Sequence, residues 1–178
     1  NLFGQNKFFF NIVHTIRTIF KINIIFHLQI IIINSLYIEP DVMEKVNLRL
    51  QEKYNTIARN ETRWEEYFME DAEMVITAYG TTARIAKKSI KELRKAGVKA
   101  GLIRPITLWP FPAEAINKAA ARAKAFLTVE MSCGQMVEDV RLAVNGQAPV
   151  EFFGRTGGMI PSWKEIYAAA EKALGGVK

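Results

Sequence analysis

Residues able to do chemistry gather in four short loops, each placed after an apolar run. Gly80-Thr81-Thr82 offers hydroxyls and, where a helix begins, backbone N–H groups that attract anions. Arg104-Pro105-Ile106-Thr107 and Gly154-Arg155-Thr156-Gly157-Gly158 each carry a guanidinium able to grip a carboxylate or phosphate bidentately. Glu130, a carboxylate that can serve as a general base, stands before Met131-Ser132-Cys133-Gly134, which supplies a thiol.

Each chemistry competes with a structural role. The stretch from Gly80 to Lys87 lacks the second glycine and the adjoining Lys-Ser/Thr of a phosphate loop, and no G-x-G-x-x-G follows the first strand. Thr81 or Thr82 therefore reads as a helix cap in a tight turn, with an anion site as the sharper alternative. For Arg104 the plainer reading is a salt bridge to another subunit or domain. Arg155 stands evenly between that and an anion, because its flanking glycines allow close approach. Glu130 reads as a cap for the following helix or as a partner contact. Cys133, near a helix start beside Gly134, lacks the histidine that a nucleophile needs, since His14 and His27 lie far upstream. Trp109-Pro110-Phe111-Pro112 reads as a packing or docking edge.

Composition bounds the remaining choices. The 178 residues suit one domain plus an extension, and 49% hydrophobic content is enough for a core. Half of the net charge of +6 comes from Lys7, Arg17 and Lys21, ahead of the first acid, Glu39. The remainder is weakly basic with interspersed signs, which argues against nucleic acid. One cysteine precludes an internal disulfide and an iron–sulfur cluster held by this chain alone, and so few histidines disfavour zinc. The chain starts at Asn1, so a piece of a longer reading frame, or a processed product, is expected.

The elements that must position these loops follow from periodicity. Residues 1–34 are rich in Ile, Phe and Asn and carry no acid; Asn23, His27 and Gln29 interrupt the apolar run too closely for a membrane span. This segment is expected to be anomalous, even artefactual, and to pack poorly on the rest. Residues 35–71 read as a helical linker. Val42, Val46, Leu50 and Tyr54 recur at i+4 after Glu39-Pro40-Asp41, and an aromatic, acidic stretch from Asn60 to Asp71 follows as linker or short helix. From residue 72 to 178, strands near Val75, Gly101, Leu127 and Phe152 alternate with helices. Gly97 ends the first of these helices and Ser162 caps the last. This is an α/β pattern, a Rossmann-like three-layer sandwich with a mainly parallel sheet. The four loops then lie together at the carboxyl ends of its strands.

Five stretches add a specific resemblance. Ile76-Thr77-Ala78-Tyr79-Gly80-Thr81-Thr82-Ala83-Arg84-Ile85-Ala86 and Gly101-Leu102-Ile103-Arg104-Pro105-Ile106-Thr107-Leu108-Trp109-Pro110-Phe111-Pro112 resemble the alpha-type subunit of 2-oxoacid:ferredoxin oxidoreductases, as do Val129-Glu130-Met131 and Gly134-Gln135-Met136-Val137. Phe152-Phe153-Gly154-Arg155-Thr156-Gly157-Gly158-Met159-Ile160-Pro161 is similar to the branch acting on 2-ketoisovalerate. Ser132-Cys133 departs from an Asn-containing family version. The resemblance runs from about Leu36 to the C-terminus and implies a transketolase C-terminal-like domain. It further implies a cytoplasmic complex that decarboxylates a 2-oxoacid on thiamine diphosphate and Mg²⁺, passes electrons through iron–sulfur clusters to ferredoxin, and forms an acyl-CoA. The beta-type subunit would hold the thiamine cofactor and an iron–sulfur subunit would carry electrons. This chain would carry no catalytic residue, bind no cofactor or metal alone, and meet neither nucleic acid nor membrane. Thr81, Thr82, Arg104, Glu130, Gly134 and Arg155 remain as interface or anion contacts. The competing classes are a stand-alone nucleotide- or CoA-binding module and a fragment without independent function.

Overall fold

The computed structural model describes residues 37–175. The chain divides into two units, Asn1–Asn47 and Leu48–Lys178. The first is described from residue 37 onward, where it holds the opening turns of helix α1 (Pro40–Glu61); the anomalous segment 1–34 lies outside the described residues. Helix α1 has the expected amphipathic spacing, yet none of its residues is buried.

The second unit contains a five-stranded sheet in the order β1-β3-β2-β4-β5, formed by β1 (Trp64–Tyr67), β2 (Met74–Ala78), β3 (Ala100–Pro105), β4 (Ala125–Glu130) and β5 (Val150–Gly154). Strands β2 to β5 pair in parallel, as the strand–helix alternation predicts. Strand β1 corrects the reading of residues 35–71 as a helical linker, because Trp64-Glu65-Glu66-Tyr67 adds antiparallel to β3 with Glu65 opposite Arg104. An exposed edge strand needs no apolar alternation, and charges there discourage further pairing.

The pleat sends alternate residues of β2 to opposite layers. Met74, Ile76 and Ala78 join Leu102, Leu127 and Val129 under helices α2 (Gly80–Lys95) and α5 (Trp163–Gly175). Val75, Ile103 and Phe126 pack under α3 (Ala113–Ala120) and α4 (Met136–Val144). Each fully buried Ile, Leu or Phe contributes about 1.5–3 kcal/mol of hydrophobic stabilisation. Between β2 and β4, the Thr77 hydroxyl donates to Thr128 Oγ1 at 2.8 Å, satisfying two buried hydroxyls side by side.

Helix ends follow local chemistry. At Gly97, with φ +87°, Gly97 N–H donates to Arg94 O and Val98 N–H to Leu93 O, the paired bonds of a Schellman stop. Ser162 and Glu165 form a reciprocal cap at the start of α5 (Ser162 N–H to Glu165 Oε2, 2.8 Å; Glu165 N–H to Ser162 Oγ, 3.3 Å). The threonine cap expected for α2 is not formed. The helix already begins at Gly80 after Tyr79, so Thr82 lies inside its first turn and its hydroxyl donates back to Tyr79 O at 2.6 Å. No helix among the described residues is long and apolar enough to cross a membrane.

Candidate functional site

The parallel sheet brings all four loops to one edge, where they separate into two clusters. The first surrounds Glu130, the last residue of β4 and fully buried. Its carboxylate accepts N–H donors from Gln135 (3.2 Å), Met136 (3.1 Å) and Val137 (3.0 Å), the start of α4, and the Ser132 hydroxyl at 3.1 Å. Ser132 Oγ in turn accepts the Gly134 N–H at 3.1 Å. Gly134 has φ +107°, and a Cβ there would stand 3.2 Å from Val137 Cγ1, so the turn calls for glycine. The helix dipole and three amides hold this carboxylate as a cap.

Arg155 joins the same cluster by its backbone. Its N–H donates to Glu130 O at 3.1 Å. Its guanidinium meets Glu165 Oε1 at 3.0 Å, and its Nε is buried without a hydrogen-bond partner. Glu165 sits below the usual carboxylate range, first because the Ser162 N–H and hydroxyl donate to it, and then because Arg155 lies beside it. Beyond Arg155, Gly157 and Gly158 take φ +64° and +81°, and Met159 and Ile160 are exposed.

The second cluster lies at the ends of β2 and β3. Arg104 Nη1 reaches Glu65 Oε2 at 3.0 Å, and Lys87 Nζ approaches the same oxygen at 3.8 Å. The salt bridge expected to reach another subunit or domain is instead made within the sheet, because β1 places a carboxylate opposite Arg104. Arg104 Nε is also buried without a partner. Gly80, Ala83, Arg84, Lys87 and Arg104 line a notch of about 130 Å³. Arg84, Lys87 and Glu65 were not singled out from sequence; the signal available was the i, i+3 spacing of Arg84 and Lys87 on one helix face. Thr81 is exposed at the start of the same helix, whereas Thr82 is turned inward.

Around both clusters the edge is apolar. Ile106, Leu108, Trp109, Met131, Met159 and Ile160 are exposed on its loops, and the Trp109 ring meets Tyr54 edge-on at 5.7 Å. Cys133 is exposed beside them. Among the described residues no three His, Cys, Asp or Glu side chains converge as a metal site. The arrangement is one of capped loops, internally paired arginines and uncovered apolar side chains.

Comparison with known proteins places this architecture. Residues 72–166 match the family described as pyruvate:ferredoxin oxidoreductase core domain II. The ketoisovalerate oxidoreductase subunit VorB of Methanothermobacter marburgensis is 42% identical over 144 residues, which cover 81% of this chain and 41% of VorB. The 2-oxoglutarate synthase subunit KorA of the same organism is 34% identical over 127 residues, covering 71% of this chain and 34% of KorA. The chain thus spans about two fifths of the length of the VorB relative. In fold it is similar to a 2-oxoglutarate:ferredoxin oxidoreductase from Magnetococcus marinus, solved with 2-oxoglutarate, coenzyme A and succinyl-CoA bound (TM-score 0.68, 19% identity, 78% of this chain and 24% of that one). With more than half of its residues matched by the family model, the chain belongs to the pyruvate:ferredoxin oxidoreductase core domain II family.

Proposed function

We propose that this chain is the core-domain-II portion of a cytoplasmic 2-oxoacid:ferredoxin oxidoreductase subunit, and that it serves assembly rather than chemistry. The observation that carries the reading is the carboxyl edge: six large apolar side chains lie exposed on its loops, while Glu130, its buried carboxylate, is consumed by capping α4. Large apolar side chains left exposed on several loops of one sheet edge favour a docking role for that edge. The preference for a branched-chain 2-oxoacid rests on the greater likeness to a ketoisovalerate oxidoreductase subunit than to a 2-oxoglutarate synthase subunit.

Such a complex works with thiamine diphosphate, Mg²⁺, iron–sulfur clusters and coenzyme A. The described residues offer no evident site for the first three. One cysteine cannot ligate a cluster, and the described residues supply no convergent carboxylates for a metal-held diphosphate. Those groups are assigned to a beta-type thiamine-binding subunit and an iron–sulfur subunit, with ferredoxin as acceptor.

The test is co-expression of the tagged chain with those subunits. Both should co-purify, and Arg155→Ala, which opens the Glu165 pair at the edge, should weaken their retention while the melting temperature of the chain changes little. The purified chain should turn over no 2-oxoacid by itself. Turnover without partners would overturn the reading, as would normal assembly of Arg155→Ala combined with lost coenzyme A or nucleotide binding by the chain alone.

A further inference from the structure

We propose that the notch between the start of α2 and the end of β3 binds a phosphate-type oxyanion. Three cations, Arg84, Lys87 and Arg104, line it. One carboxylate, Glu65, faces them and is shared between Arg104 and Lys87. Three positive groups against one negative leave a surplus that matches a dianion rather than a single carboxylate.

Two further features belong to residues that line the notch. Arg104 Nε is a buried donor with no acceptor, and Arg84 takes part in none of the ion pairs among the described residues. A guanidinium with unused N–H groups is suited to bidentate recognition of phosphate. The start of α2 adds to this field, for it has no side-chain cap and no acid in its first turn. Gly80 on the wall leaves open space where a side chain would stand, with no heavy atom within 4 Å of a built Cβ.

Size defines the ligand class. The notch, about 130 Å³, has room for a tetrahedral oxyanion and a few waters, each of which needs on the order of 10–15 Å³ of such space. It is well below the roughly 300–1,000 Å³ of a site that encloses a whole small molecule. The ligand is therefore inorganic phosphate or the phosphate end of a molecule whose remainder lies outside the notch. The inference does not depend on the subunit reading, since binding is measured on the chain without partners.

The experiment is calorimetric titration of the full chain with inorganic phosphate and, separately, with glycerol phosphate as a simple monoester, at constant ionic strength set with chloride. Saturable binding of either supports the site, and tighter binding of the monoester identifies a phosphate carried on a larger molecule. Arg84→Gln, at an exposed position, should weaken binding about tenfold while leaving the melting curve unchanged, in line with the loss of a hydrogen bond to a charged group. Arg104→Gln should weaken it similarly, with a melt to confirm that the sheet edge persists. Absence of saturable binding, equal competition by chloride, or unaltered affinity in both variants would overturn the proposal. If phosphate fails to bind but Arg84→Gln impairs co-purification, the notch takes an acidic side chain of a partner subunit and the proposal also falls.

Discussion

The two ends of the sheet are built on opposite principles. At the amino end every strand start is tied to its neighbour. Glu73 precedes β2, and its backbone N–H donates to Lys99 O at 2.8 Å while its carbonyl accepts the Lys124 N–H at 2.7 Å. Its carboxylate also pairs with Lys99 (3.2 Å) and Lys124 (2.5 Å), so one residue joins the approaches to β2, β3 and β4. Arg94, from the last turn of α2, donates to Ala100 O, Phe68 O and Asp71 while lying over the Phe68 ring. At the carboxyl end the backbone turns are held with equal care, but the side chains around them are left exposed and two arginines keep a buried, unpartnered Nε. One end closes on itself through backbone and charged contacts, whereas the other holds its loops and leaves their apolar tips uncovered.

Removing the strongest hold at the open end should have the largest effect. Glu130→Ala would strand three helix-start amides and the Ser132 hydroxyl in a buried site. A loss of about 3 kcal/mol is expected, a fall in Tm of roughly 6–12 °C for a domain of this size. An unchanged melt would mean that water can replace the carboxylate and that the loop is not held as described. Next comes the closed end, where Arg94→Ala should cost about 2 kcal/mol, as expected for hydrogen bonds to a charged group. Arg94→Lys should recover only part of this, because an ammonium cannot span the same acceptors. Equal stability of Arg94→Lys and the parent would show charge, not the guanidinium fork, to be what matters.

Acid should act on the closed end more gently. Asp71 lies below its ordinary value of 3.8, chiefly through its bond to Arg94, and Glu73 below 4.5, chiefly through Lys124 and then Lys99. Carboxylates lowered by folding contribute stability that is complete above their unfolded values and is lost as pH falls through the folded ones. Denaturant melts should therefore be flat above the ordinary carboxylate range and slope downward below about pH 4.5. Glu73→Gln should reduce that slope, and the same slope in the variant would remove Glu73 from the account. The smallest effect on stability is expected from Leu108→Ser and Ile160→Ser at the open end, within about 0.5 kcal/mol, because both side chains are already half exposed. Their effect should appear in co-purification with partner subunits; if they unfold the domain instead, the open end is part of the core.

Local patterns read from the chain survive in the structure wherever a short-range rule decides them. The run Ala125 to Glu130 is expected as a strand and forms one over those bounds, since a mostly apolar run closed by a single carboxylate can be buried on both faces. Gly97 and Ser162 act at helix ends as their residue types require. Strand β1 escaped because an exposed edge carries no alternation to detect; its stabilising partner, Arg104, is 39 residues away. The threonine cap failed because the helix begins two or three residues before Thr81 or Thr82 would start it, with Tyr79 at its N-cap.

By itself the sequence determined the order and type of the main elements, the carboxyl-edge location of Thr81, Arg104, Glu130 and Arg155, and the resemblance later matched by the family model. Periodicity and turn chemistry act over a few residues and are visible in a single chain. Only the tertiary structure decided the strand order, the turning of both arginines to partners inside the domain, the capture of Glu130 by α4, and the meeting of Arg84, Lys87 and Arg104 around one notch. Each of these depends on residues brought together by sheet pairing and helix packing, and no local pattern specifies which pairs will meet.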